Sequence, residues 1–204
     1  MIMENLTEKK ARFIELLTST HREGVEHLIE VIDSMGFFTA PASSRFHKNH
    51  EGGLLEHSLN VCDVALELRE AIIKMKPEVE PKLTRESIII AALLHDVCKA
   101  DLYKPTVKKM KNKEGQWVDT NTYEVDHGQF PFGHGEKSVI VILMNGMKLT
   151  TDEALAIRWH MNAWDLPFQS PDIKGNINQA RQICPLLQLI IAADGLASHI
   201  LEVE

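Results

Sequence analysis

The chain has few cysteines, and their spacing excludes two kinds of site. Among its 204 residues there are three cysteines, Cys62, Cys98 and Cys184, and none of them belongs to a CxxC pair. An odd number of widely separated cysteines supports neither a disulfide framework nor a thiolate zinc site. We therefore expect buried, reduced thiols.

Long hydrophobic runs are also missing. No apolar stretch approaches the roughly 18 residues that a membrane-spanning helix requires. The N-terminal sequence MIMENLTEKK mixes charges of both signs and lacks the apolar segment of a signal peptide. This pattern predicts a soluble, cytoplasmic protein with no membrane partner.

An excess of positive charge is absent as well. The 22 Lys and Arg residues against 29 Asp and Glu residues give a net charge of −7. This charge argues against a broad nucleic-acid-binding face, although a local basic patch is compatible with it. What the chain does have is an apolar share of 44%, enough for a sizeable core, and ten histidines. A single domain over residues 1–204 is the simplest prediction, and the oligomeric state is left open.

Apolar residues recur at helical spacing along most of the chain, which predicts an all-α fold. The first two helices would form a hairpin within residues 1–40, followed by a functional core over residues 45–204. Partial alternation of Thr, Val, Trp and Tyr within residues 104–130 predicts a small two-stranded β-hairpin as an insertion. Pro185 either kinks the last helix or begins a separate segment. The predicted helices cover approximately residues 6–20, 22–35, 54–75, 84–94, 134–144, 150–160 and 177–201.

Two acidic residues lie inside apolar helical runs: Asp96 in AALLHDVCKA and Asp194 in LIIAADGLA. A buried carboxylate is costly unless it is paired, hydrogen-bonded or bound to a metal. His95 directly precedes Asp96, and neighbouring side chains on a helix point about 100° apart, so both reach one metal only near a helix end. Imidazole and carboxylate groups suit divalent first-row metals. Lys99 follows three residues after Asp96 on the same side and could contact an anion bound there.

Together with an upstream histidine, these residues resemble the HD superfamily, whose pattern is a His, a His-Asp pair and a distant Asp. The pattern is filled by His57 in GGLLEHSLNV, by His95 and Asp96 in AALLHDVCK, and by Asp194 in LIIAADGLA. The similarity covers residues 45–200, most of the chain. It implies a helical bundle in which these four residues hold a divalent transition metal. Iron, manganese, cobalt, nickel and zinc are all compatible with these ligands.

Two more histidines extend the resemblance. His134 in FPFGHGEKS and His160 in AIRWHMNAW follow in the order in which binuclear HD proteins supply ligands to a second metal. Among these, the layout is most similar to the HD module of bacterial exoribonucleases that cut 3′ to 5′. The similarity implies one or two ions, with Asp96 as the bridge and a shared water as the nucleophile. Catalytic roles are then expected for Asp96 and for Lys99, whose ammonium adds a cationic contact. With a single ion, the two histidines would lie beside the site or at the surface.

The resemblance implies a metal-dependent phosphohydrolase acting on a nucleotide, a short oligonucleotide or another small phosphorylated compound. Two further functions fit the same residues: a di-iron oxygenase resembling myo-inositol oxygenase, and a non-catalytic ligand-binding module. Loops would decide the substrate, and plain solvent exposure is the alternative for the loop residues among the candidates. The candidate substrate contacts are Arg45, His47, His50, His127 and Lys137.

Overall fold

The computed structural model describes residues 5–112, 114–126, 128, 130–162 and 171–203. These residues form helices and one two-stranded sheet, so the predicted all-α fold with a small β insertion is confirmed. The α-helices are α1 (Leu6–Thr18), α2 (Val25–Ser34), α3 (Gly53–Met75), α4 (Arg85–Leu94), α5 (His134–Met144), α6 (Thr151–Trp159), α7 (Pro171–Ile183) and α8 (Pro185–Leu196). Short 3₁₀ helices cover Pro77–Lys82 and Val97–Lys99, a π-helical turn covers Ala197–Leu201, and the strands are β1 (Tyr103–Lys111) and β2 (Trp117–Val125).

Local hydrogen bonds explain where several helices begin. Asn5 and Glu8 form a reciprocal capping box at the start of α1, and Thr150 and Glu153 form the predicted one at the start of α6. The Thr84 side chain accepts a backbone N–H and caps α4, as predicted. Each cap satisfies an amide that the helix cannot bond internally. The starting points of α4 and α6 are therefore fixed, and both helices end at the candidate site.

Helix α4 lies at the centre of the hydrophobic core. Its residues from Ile88 to Leu94 are all buried, and it packs against α1, α3, α6 and α8. The rings of Phe13, Phe37 and Phe38 close the core beside the N-terminal helices, with centroids 5.2 to 5.4 Å apart. Because α4 is enclosed, the residues that follow Leu94, His95 and Asp96, are buried as well.

The inserted β-hairpin contacts the loop that precedes α3. Strands β1 and β2 pair antiparallel, from Tyr103 opposite Val125 to Lys111 opposite Trp117. The Thr122 hydroxyl donates to the Ser44 carbonyl at 3.2 Å. This bond joins the insertion to residues 43–50, the loop in which three substrate contacts were predicted.

Pro185 separates the last two helices. The segments Ile173–Ile183 and Pro185–Leu201 meet at 99°, so the prediction of a separate segment is the correct alternative. Pro185 has no amide hydrogen, and it occupies the start of α8, where none is needed. No single helix among the described residues is long and apolar enough to cross a membrane; this bent pair has that length and composition only when its parts are taken together.

Candidate metal centre

His57 lies in the second turn of α3 and is 1% exposed. Two glycines at the start of α3 allow the helix to pack closely against the preceding loop. Gly52 has a φ of 76°, which favours glycine, and a Cβ at Gly53 would collide with the Lys48 carbonyl. The loop is therefore held close to the helix turn that carries His57.

His95 and Asp96 follow directly on α4, at the point where the helix ends. His95 Nδ1 donates to the Ala92 carbonyl at 2.7 Å. Asp96 has left the helical conformation, with φ −106° and ψ 18°, and its Oδ2 lies 3.4 Å from His95 Nε2. The helix end lets two adjacent side chains reach the same region, as the sequence analysis required.

His134 is the first residue of α5, and His160 directly follows α6. Gly135 lets these helices pack closely, because a Cβ there would collide with the Arg158 carbonyl. His160 Nδ1 donates to the Ile157 carbonyl at 2.7 Å. The centroids of the two imidazole rings are 5.4 Å apart, so the helix contact places both histidines at one end of the α5–α6 pair.

The Asp96 carboxylate lies between two pairs of imidazoles. Its Oδ2 is 3.7 Å from His57 Nε2 and 3.4 Å from His95 Nε2. Its Oδ1 is 2.6 Å from His134 Nε2 and 3.4 Å from His160 Nε2. Each oxygen of one buried carboxylate thus faces a different pair of histidines.

Asp194 reaches the same cluster from α8. Its Oδ1 is 3.3 Å from His57 Nε2, and ligand atoms of His95, His160 and Asp194 all lie within 4.8 Å of one another. The structure therefore brings together every residue predicted to hold a metal. We call this set the HD cluster; its members are His57, His95, Asp96, His134, His160 and Asp194.

Three histidines of the HD cluster direct Nε2 towards its centre and use Nδ1 for hydrogen bonds outside it. His57 Nδ1 donates to the Glu202 carboxylate at 3.1 Å, and His95 and His160 donate from Nδ1 to backbone carbonyls. These acceptors carry no proton, so each Nδ1 does, which in a neutral ring leaves the Nε2 lone pair free. His57 Nε2 and His95 Nε2 are only 3.3 Å apart. The buried His160 Nε2 has no hydrogen-bond partner among the described residues. A divalent first-row cation fits this donor set, because it satisfies facing lone pairs and carboxylates at once.

The two acids of the HD cluster are ionised at neutral pH. Burial raises the pKa of Asp96, but Lys99 and the surrounding imidazoles outweigh burial and hold that pKa well below its usual range. Burial also raises the pKa of Asp194, but the hydrogen bond with His57 and the neighbouring imidazoles together outweigh burial and lower that pKa. Burial lowers the pKa of His57, whereas Asp194 and Glu202 raise it to about 9, so a cation that binds His57 Nε2 would displace a proton from it. The carboxylates thus give the centre a negative charge that favours bound cations.

Lys99 adds one fixed positive charge beside the cluster. Its Nζ is 2.6 Å from Asp96 Oδ2, and its side chain is 11% exposed. Burial lowers the pKa of Lys99, but the charge and hydrogen bond of the Asp96 carboxylate, together with other neighbouring groups, outweigh burial and raise that pKa. The ammonium is therefore charged at neutral pH and held next to Asp96.

Residues 54–198 match the family described as HD domain, and the whole HD cluster falls within that range. The chain belongs to the HD domain family. The resemblance to the HD superfamily is thereby confirmed, and the narrower similarity to exoribonuclease modules stays a prediction.

One relative of the chain is named as a phosphodiesterase. The chain is similar to the dihydroneopterin 2′,3′-cyclic phosphate phosphodiesterase of Methanocaldococcus jannaschii, with 29% identity over 124 residues. The matched part is 61% of this chain and 44% of the relative, so the chain spans less than half of that enzyme's length. No solved structure matches the chain significantly.

One of the predicted substrate contacts lies directly beside the HD cluster. The His47 ring is 4.9 Å from the His57 ring, centroid to centroid. Burial, then the neighbouring His57, lower the pKa of His47 to about 4, so its ring is neutral at pH 7. His50 is exposed and donates to the Glu51 carbonyl at 2.9 Å. Arg45 is exposed in the same loop, and no hydrogen bond or ion pair among the described residues joins it to the cluster.

The remaining predicted substrate contacts are Lys137 and His127. Lys137 is 5% exposed, and its Nζ donates to Asp101 Oδ1 at 2.6 Å. It lines a cavity of about 220 Å³ together with His134, so its contact with substrate stays a prediction. His127 lies outside the described residues.

Glu202 is part of the site and was missed by the sequence analysis. Its carboxylate accepts from His57 Nδ1 at 3.1 Å and from the Asn60 amide at 2.9 Å, and its side chain is 0% exposed. Burial raises the pKa of Glu202, but the hydrogen bond and charge of His57, together with Asn60 and His47, outweigh burial and lower that pKa. The C-terminal LEVE that contains Glu202 carries no periodic or motif signal, so only the tertiary structure reveals the role of this residue.

Proposed function

We propose that this HD protein is a metal-dependent phosphohydrolase that cleaves a phosphomonoester or phosphodiester of a small substrate. The observation that carries the proposal is the position of Asp96, whose two buried oxygens face different pairs of histidines. A carboxylate in such a position suits two neighbouring cations, and sites with two cations commonly hydrolyse phosphate esters.

The residues for one or two ions are all present. His57, His95, Asp96 and Asp194 would hold the first ion, and His134 and His160 would hold a second with Asp96 shared. Iron, manganese, cobalt, nickel and zinc all accept imidazole and carboxylate ligands, and availability would decide among them. When bound, such ions make a coordinated water more acidic and neutralise charge on phosphoryl oxygens.

The chain's own residues would do the remaining work. Lys99, charged and fixed beside Asp96, would place a cation next to the phosphoryl oxygens, where charge develops in the reaction. His57, His95 and Asp96 are each 2% exposed or less. This burial keeps bulk water from screening the charges at the site.

The archaeal relative supports hydrolysis over the alternatives. Its name describes a phosphodiesterase acting on a cyclic phosphate, which favours ester cleavage over oxygenation and over a binding module without catalysis. The substrate class that we propose is a nucleotide or another small phosphorylated compound, and a short oligonucleotide belongs to the same class of chemistry.

The test is hydrolysis by purified protein supplied with manganese, iron or cobalt. Bis(p-nitrophenyl) phosphate and p-nitrophenyl phosphate report diester and monoester cleavage. Asp96→Ala removes the shared carboxylate and should lower kcat/KM by about 100-fold or more. Loss of a residue that only supports a metal ligand already lowers activity by about 10- to 100-fold, and Asp96 would be a ligand itself. The metal content of both proteins is measured by mass spectrometry. The content of Asp96→Ala should be lower than that of wild type, in line with its lower activity.

Asp33→Ala is the matched control. Asp33 is a half-exposed carboxylate that pairs with Lys10 at 2.7 Å, and its loss should leave hydrolysis unchanged. Full activity in Asp96→Ala would refute the proposal. Oxygen consumption with a polyol and no ester cleavage would favour the oxygenase, and a metal-free wild-type protein would favour the binding module.

A further inference from the structure

A cavity of about 620 Å³ lies between the loop before α3 and the end of the chain. Residues 46–50 supply one part of its lining, and residues 198, 199 and 201–203 supply another. Small-molecule sites commonly have volumes of about 300 to 1,000 Å³. The cavity therefore has the size of a site for the organic part of a small substrate.

The cavity adjoins the HD cluster at several points. His47 and Glu202 belong to its lining, and both contact His57, by ring packing at 4.9 Å and by a hydrogen bond at 3.1 Å. Ser198 also lines it, and its hydroxyl donates to the Asp194 carbonyl at 2.8 Å. A compound with its phosphate at the HD cluster could therefore extend its other end into this cavity.

Phe46 is the aromatic wall of the cavity. Its ring is 80% exposed, so burial in the protein core does not explain its presence. The turn that carries it is fixed, because the Phe46 amide donates to Ser43 Oγ and Ser43 Oγ donates to the His47 carbonyl, both at 2.8 Å. The turn thus presents a large flat ring to the cavity on an ordered backbone, and a ligand that covers this ring would remove apolar surface from water.

His47 gives the same cavity a polar group in need of a partner. Its Nε2 is buried and has no hydrogen-bond partner among the described residues. Buried polar atoms are nearly always satisfied in proteins, so this nitrogen needs a partner, and a polar atom of a ligand in the adjoining cavity could supply it. Polar His50 and Glu202 interrupt the apolar lining of Phe46 and Leu201. This mixture suits a heteroaromatic ring, which has apolar faces and polar edges, better than it suits an alkyl chain.

We propose that this cavity binds a planar heteroaromatic group of the substrate, of nucleobase type, with Phe46 as the stacking surface and His47 as the polar contact. The proposal rests on the proposed phosphohydrolase function, because it assumes that the phosphate lies at the HD cluster. It narrows the substrate to phosphate esters in which a flat heterocycle is joined to the phosphate through a short linker such as a sugar.

The test compares two ligands that differ only in the ring. Adenosine 5′-monophosphate and ribose 5-phosphate share the sugar phosphate, and only the first carries a base. Affinity for manganese-loaded protein is measured by titration calorimetry, or as KM where the ligand is turned over. Because a base stacked on an aromatic side chain gains about tenfold or more in affinity, wild type should bind the nucleotide that much more tightly.

Phe46→Ala should remove this preference and leave the affinity for ribose 5-phosphate unchanged. Phe46→Trp should retain the preference, and both variants should fold because the side chain is exposed. Trp117→Ala is the matched control. Trp117 is a 67% exposed aromatic residue at the turn end of the β-hairpin and does not line the cavity, so its removal should change neither affinity.

Equal binding of the two ligands by wild type, or equal losses for both in Phe46→Ala, would overturn the proposal. An equal gain with hexyl phosphate would overturn it too, because the cavity would then prefer apolar surface of any shape. Failure of the phosphohydrolase function is distinguishable from these results. In that case no phosphate ester is cleaved, whereas the calorimetric preference for the nucleotide is measured without turnover.

Discussion

Glu202 orients His57 although the two residues are 145 positions apart in the chain. Both carboxylate oxygens lie 3.1 Å from His57 Nδ1, and Oε1 also accepts from Asn60. A carboxylate that accepts the Nδ1 proton of a metal-binding histidine fixes the ring and makes its Nε2 a better ligand. Glu202 is therefore expected to act as a positioning residue, through His57.

Replacing Glu202 should weaken metal binding. Glu202→Ala is expected to lower manganese affinity by about 10- to 100-fold, the usual effect of losing such a partner. Glu202→Gln should lose less, because its amide oxygen can still accept from His57 Nδ1. The dissociation constants are measured by titration of metal-free protein with Mn²⁺. Glu70→Ala, which removes an exposed carboxylate paired with Arg69, is the control. Unchanged manganese affinity in Glu202→Ala with a lower melting temperature would show that the residue is only structural.

The start of α6 is joined to α4 and to the N-terminal helices by one buried ion pair. Glu153 is 0% exposed and accepts two hydrogen bonds of 2.7 Å from the Arg22 guanidinium. The Ser87 hydroxyl donates to the same carboxylate at 2.7 Å. The contacts of Glu153 join the turn between α1 and α2 to the starts of α4 and α6, the two helices whose other ends carry His95, Asp96 and His160.

Arg22→Ala should destabilise the fold substantially. It leaves the buried Glu153 charge without its main partner, which typically costs about 3 kcal/mol or more in the free energy of unfolding. Urea unfolding followed by circular dichroism measures the change. Lys148→Ala is the control, because Lys148 pairs with Glu23 at the surface with both side chains about 70% exposed, and such pairs contribute little. Equal urea midpoints for wild type and Arg22→Ala would contradict the expectation.

At the scale of helices and strands, most of the fold was predictable, because each element has a local cause. The apolar periodicity and the caps at Thr84 and Thr150 depend only on residues close together in the sequence. The predicted helices therefore match α1 to α6 closely. The inserted hairpin was also predicted. Pro185 left two alternatives because a proline starts a helix as readily as it kinks one. Packing of α7 at 99° to the following segment decides between them.

Across the whole molecule, the HD cluster connects elements that lie far apart in the chain. Its members come from α3, α5 and α8 and from the ends of α4 and α6. An unfolded chain does not assemble such a site, so an ion bound to it stabilises the folded state selectively.

Metal loading should therefore raise the melting temperature. At a free ion concentration about 100 times the dissociation constant, the gain in free energy of unfolding is about 2.7 kcal/mol. The shift is measured by scanning fluorimetry with Mn²⁺ and should be reversed by a chelator. Asp96→Ala should show almost no shift. The same shift in that variant would mean that the stabilising ion binds somewhere other than at the HD cluster.

The sequence by itself predicted the helical fold, the hairpin insertion and the buried acids Asp96 and Asp194, and its resemblance to the HD superfamily added the four histidines of the HD cluster. It could do so because apolar periodicity is local and because buried acids such as Asp96 and Asp194 stand out from their apolar surroundings. Only the tertiary structure decided which oxygen of Asp96 faces which histidines, that Glu202 supports His57, and that Phe46 and His47 line a cavity beside the cluster. These relations depend on contacts between residues far apart in the chain, so they cannot be predicted from the pattern of any single segment.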